Sequence, residues 1–129
     1  ERQRSVADAR ELAQAARAGS TLVFFAEGRF ERAPGLAPFH LGAFIAATEA
    51  KLPVVPIALR GTRSILRANQ WFPRRGRIVV TVGTPIRPSG TGFEAALRLR
   101  DAARAQILAH CGEPDLAAAP VTSEISGNL

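Results

Sequence analysis

From residue 5 to residue 19 the apolar positions fall on one side of a helix: Val6, Ala9, Leu12, Ala13 and Ala16 recur at three- and four-residue steps, and Gly19 ends the run. Ser5 and Asp8 give it a capping-box-like start, with Asp in place of the usual Glu. The stretch TLVFFA (21–26) is β-branched, aromatic and uncharged, which predicts a strand covered on both faces. A polar loop punctuated by Gly and Pro runs from Gly28 to Pro38, and LGAFIAATEA (41–50) has helical composition. Residues 54–59 are again apolar and predict a second strand, with Pro56 marking an edge, a bulge or an irregular stretch. Residues 62–76 lack clean periodicity and read as loop with one helical turn at most. Ile78–Val82 predicts a short third strand. Thr91 and Glu94 form a capping box for a last helix over FEAALRLRDAARAQILAHC, anchored by Phe93, Leu97, Ile107 and Leu108.

Strands alternating with helices predict the α/β class: a mixed or mostly parallel sheet flanked by helices, with parallel pairing of 21–26 and 54–59 across the helix 41–50. There are no internal repeats and no linker, so residues 1–111 read as one domain and 112–129 as a flexible tail. In such sheets ligands sit where strands end and loops begin, which is where Glu27 falls.

Composition narrows the chemistry. The 129 residues carry 17 Lys+Arg against 11 Asp+Glu, a net charge of +6, and Lys51 is the only basic residue that is not arginine. Guanidinium favours bidentate binding of phosphate or carboxylate, so phospholipid and nucleic acid are both compatible partners, as is an Arg-rich composition without function. The single Cys111 excludes an internal disulfide framework and zinc-finger spacing, and two isolated histidines offer no metal cluster. No apolar run reaches the ~20 residues needed to cross a bilayer. A nucleic-acid module is disfavoured because there is no Tyr, only 1 Trp, and no aromatic run interleaved with the basic residues.

Two motifs in order carry more. The run EGRFERAPGLAPFHLGAF (27–44), followed by LPVVPIALRGT (52–62), resembles the glycerolipid acyltransferases of the 1-acylglycerol-3-phosphate acyltransferase type, whose patterns read F-P-E-G-T-R-S, then P-F-K-x-G-A-F, then V-P-V. VVTVGTPIRP (79–88) resembles the strand and turn that follow in that family, so the resemblance spans roughly residues 5–110. It implies that the Glu-Gly motif helps build the site for a phosphate-bearing acceptor, with Glu27, Gly28, Arg29 and Arg32 as the substrate-binding candidates. Glu27 and Gly28 match position for position. Ala26 stands for Pro, Arg29 for Thr, Phe30 for Arg and Glu31 for Ser, so the phosphate-binding arginine is shifted to Arg29 or Arg32, or the acceptor differs. His40, at a position where the family often carries Lys, is expected to line the site or cap a helix. Val54, Val55 and Pro56 fit the last motif, and Arg60 and Arg63 at the strand end add positive potential or lie on a solvated surface.

The family's catalytic pair is His-x4-Asp, the His taking the acceptor hydroxyl proton and the Asp orienting it. The one literal match, HCGEPD (His110 to Asp115), lies downstream of Glu-Gly instead of upstream, at the end of the last helix. It is read as coincidence, leaving no catalytic residue in this chain. The sequence opens on Glu1, not Met, and is read as the C-terminal portion of the enzyme, inactive alone. The resemblance further implies acyl-CoA or acyl-carrier protein as donor, a lysophospholipid acceptor, no metal or bound cofactor, and peripheral contact with an anionic membrane at its cytoplasmic face. An acyltransferase-like domain that has lost activity is the competing expectation.

Overall fold

A computed structural model describes residues 2–28, 34–65 and 71–117; of residues 2–7 only the backbone is described. In chain order the elements are α1 (Arg2–Arg17), α2 (Gly42–Ala50), β1 (Ile57–Arg60), α3 (Thr62–Ile65), β2 (Val79–Val82) and α4 (Gly92–Cys111). Helix α1 lies on α2, α2 on α4, and α4 also packs against β1 of the β1–β2 ribbon. The chain is thus α/β, with α4 as the central element.

Small residues allow these close approaches. Ala9 and Ala13 of α1 meet Ala46 of α2, with Leu12, Ile45 and Ala50 closing around them. The larger core joins Leu36, Phe39 and Phe44 to Ala58 and to Ala96, Leu99, Ala103 and Cys111 of α4. Phe39 and Phe44 are stacked, with centroids 6.3 Å apart and planes within 7°, an arrangement that adds to simple area burial. Gln106 of α4 ties the end of β2 by two bonds: its Oε1 accepts the Thr84 N–H (2.9 Å) and its Nε2 donates to the Thr84 carbonyl (3.2 Å).

Several expectations are corrected. Residues 21–26 belong to no strand, and Val23 and Phe25 are 78% and 84% exposed. Strand propensity expresses itself only against a neighbouring strand, and no described residue supplies one. The observed pairing is antiparallel, β1 with β2, from Ile57↔Val82 to Arg60↔Val79; the parallel pairing of 21–26 with 54–59 is not formed. Pro56 precedes β1, and its carbonyl accepts the Gly83 N–H (2.7 Å). Helix α1 spans Arg2–Arg17, so Ser5 and Asp8 lie inside it and not at its start. Thr91 is the N-cap of α4 but makes no side-chain cap bond; Glu94 lies instead 3.9 Å from Arg98. Phe93 is 60% exposed, because the buried face of α4 runs through Ala95, Ala96, Leu99 and Ala103. The single helical turn expected in 62–76 is α3.

The start of the expected tail is held. Leu36 and Asp115 form a parallel bridge, the Leu36 N–H donating to the Pro114 carbonyl (2.8 Å) and the Leu116 N–H to the Leu36 carbonyl (3.2 Å). Residues 112–117 therefore belong to the folded body.

Candidate functional site

The Glu-Gly motif opens a loop whose two ends are pinned to each other. The Gly28 N–H donates to the Phe25 carbonyl (2.9 Å), closing a tight turn, and Gly28 takes φ +74°, a region that disfavours a Cβ. A Cβ there would also approach the His40 ring, 2.6 Å from Cδ2. The His40 N–H donates to the Ala26 carbonyl (2.9 Å), and Glu27 Oε2 accepts the Ala37 N–H (3.0 Å). Residues 26–28 are thereby bound to 37–40. Arg29 and Arg32, the two phosphate-binding candidates, lie in that loop but outside the described residues.

The far limb of the loop is held by side chains from elsewhere in the sequence. Arg104 of α4 donates Nη2 to the Leu36 carbonyl (2.6 Å), pairs with Asp115 at 2.7 Å, and lies over the Phe39 ring, 5.7 Å from its centroid. Glu113 accepts the Gly35 N–H (2.7 Å) on one oxygen and Arg63 Nε (2.9 Å) on the other. Two carboxylates brought to this face are thus each matched by a guanidinium, which satisfies partly buried charge.

Glu27 and Gly28 lie beside His40. The Glu27 carboxylate braces the loop, and an anion is in any case a poor partner for phosphate. Arg63, expected to add positive potential, pairs with Glu113. Arg60 is exposed and lies across the C-cap glycine of α4, where a cation complements the helix dipole. The His110–Asp115 match separates: His110 Nδ1 bonds the Gln106 carbonyl (2.9 Å) within its own helix, while Asp115 is held by Arg104 and accepts the Ala117 N–H (2.9 Å).

Arg104 and Glu113 are the residues that sequence reasoning missed. Arg104 carried a signal: it sits seven residues from both Leu97 and Cys111, on the apolar side of α4, where a charge needs a partner. Glu113 carried none, lying in an aperiodic stretch.

A family model described as Acyltransferase matches residues 1–60, which contain the whole Glu-Gly loop and the strand-edge motif. A 1-acyl-sn-glycerol-3-phosphate acyltransferase of Haemophilus influenzae is 36% identical over 66 residues, covering 51% of this chain and 27% of the relative. The Escherichia coli protein of the same name is 33% identical over 87 residues, 67% of this chain and 31% of the relative. The chain belongs to the glycerolipid acyltransferase family. A crystal structure of the 1-acyl-sn-glycerophosphate acyltransferase PlsC of Thermotoga maritima shares the acyltransferase fold, with a TM-score of 0.66 at 22% identity over 77% of this chain and 40% of that one. The chain thus spans about a third or less of the length of the curated acyltransferase relatives it matches. Among the described residues no helix is long and apolar enough to cross a membrane.

Proposed function

We propose that this chain is the acceptor-binding part of an acyltransferase that esterifies a lysophospholipid such as 1-acylglycerol-3-phosphate. The acceptor hydroxyl attacks the thioester carbonyl of acyl-CoA or acyl-carrier protein, the thiol leaves, and a base carries the proton from one to the other. The observation that supports this reading is the closure of the Glu-Gly loop, in which Glu27 Oε2 accepts the Ala37 N–H and the Ala26 carbonyl accepts the His40 N–H. Such bracing holds Glu27 and Gly28 against residues 37–40, so less entropy is lost when the motif takes up its acceptor. The names of the matched relatives support the same acceptor class.

The base is assigned to a His-x4-Asp pair outside this sequence. Supporting this, His110 is bonded within α4 and Asp115 to Arg104, so neither is set to activate a hydroxyl. The test is a thioester-release assay of this chain with acyl-CoA and 1-acylglycerol-3-phosphate. No turnover is expected; turnover abolished by His110→Ala would overturn the assignment.

A further inference from the structure

Trp71 and Phe72 stand in solvent, 90% and 78% exposed, although each offers a large apolar surface. Pro73 follows, then Arg74, Arg75 and Arg77, all exposed. The segment is anchored: the Arg74 N–H donates to the Ile65 carbonyl at the end of α3 (2.8 Å), and the chain runs on from Arg77 through Ile78 into β2. Along the sequence the charge is one-sided, for there is no Asp or Glu between Glu49 and Glu94, and Glu113, which reaches α3, is paired with Arg63.

An aromatic pair beside three exposed arginines matches one kind of surface well. At the headgroup level of a bilayer the rings of Trp and Phe exchange water for the acyl boundary, while guanidinium groups pair with lipid phosphates. Each basic residue near an anionic leaflet strengthens partitioning about fivefold. A protein partner for the same aromatic pair would have to bring acidic groups to answer the arginines, which an anionic bilayer supplies without specific folding. We propose that residues 71–77 dock on the headgroup region of an anionic lipid bilayer, with Trp71 and Phe72 at the interface and Arg74, Arg75 and Arg77 on lipid phosphates.

Trp71 is the only tryptophan in the chain, so its fluorescence reads this contact directly. The chain is titrated with vesicles of phosphatidylcholine plus phosphatidylglycerol, and with phosphatidylcholine alone, in low salt and with no lysophospholipid present. With the anionic vesicles Trp71 emission moves to the blue, is shielded from acrylamide and is quenched by brominated lipid. The doubly substituted Arg74→Glu/Arg75→Glu chain, with unchanged circular dichroism, binds about 30-fold more weakly or less. Vesicle binding that leaves Trp71 open to acrylamide overturns the proposal, as does equal binding by the double variant. A blue shift that follows protein concentration without vesicles would assign the patch to self-association and overturn it too. Because the vesicles hold no acceptor, failure here leaves the acceptor-binding reading standing.

Discussion

Glu27 and Ala37, ten residues apart, are joined by a 3.0 Å hydrogen bond from the Ala37 N–H to Glu27 Oε2. Under the proposed acceptor-binding function, that bond gives the motif glutamate a positioning role, exerted by holding residues 26–28 against 37–40. Glu27→Gln keeps a carbonyl acceptor and the brace, whereas Glu27→Ala removes both. Acceptor affinity measured by calorimetry is expected to change less than about threefold in the first and to fall about tenfold in the second, for loss of a bond to a charged group. Equal losses in both would place the carboxylate in direct contact with the acceptor.

Arg104 joins α4 to the loop and to the chain after α4. Its side chain is only 12% exposed and Asp115 28%, so removing it leaves a poorly solvated carboxylate and takes a donor away from the Leu36 and Ala37 carbonyls. Arg104→Ala is expected to cost about 3 kcal/mol in a denaturant titration. Arg100→Ala, whose partner Asp101 is two-thirds exposed, is expected to cost under about 1 kcal/mol.

Thr48 is 3% exposed and its Oγ1 has no hydrogen-bond partner among the described residues. Valine has nearly the same shape and no polar atom to desolvate. Thr48→Val is therefore expected to raise stability by about 1 kcal/mol, seen as a higher denaturation midpoint at unchanged slope.

Helix α2 ends on Lys51 in the left-handed region (φ 55°, ψ 37°), followed by a Leu52 N–H to Ala47 carbonyl bond of 3.0 Å. Glycine is the residue that usually fills this position, since it has no Cβ to crowd the carbonyl. Lys51→Gly is expected to stabilise the chain by about 0.5 kcal/mol in the same titration.

Helices and the motif loop were legible in the sequence because their signals are local: periodic apolar positions for α1, helical composition for α2, a Thr91/Glu94 start and apolar anchors for α4, and the Gly and Pro that punctuate the loop from residue 28. The pairing of strands was not, since TLVFFA and VVPIAL are equally strand-like and only tertiary neighbours decide which one pairs. Glu27 was legible as a candidate site residue, but its bond to the Ala37 N–H was not, because a hydrogen bond to backbone leaves no trace in residue type. The expected flexible tail failed over 112–117 for the same reason. Glu113 and Asp115 look solvated in sequence, and only the fold brings Arg63 and Arg104 to them.

The central claim, that this chain recognises the phosphate of its acceptor, is tested most directly by titrating it with a soluble short-chain 1-acylglycerol-3-phosphate and with the matching monoacylglycerol that lacks phosphate. The phosphate-bearing ligand is expected to bind at least about tenfold more tightly, a preference that disappears in Arg29→Ala/Arg32→Ala. Equal affinity for the two ligands, or a phosphate preference that survives loss of both arginines, would contradict it.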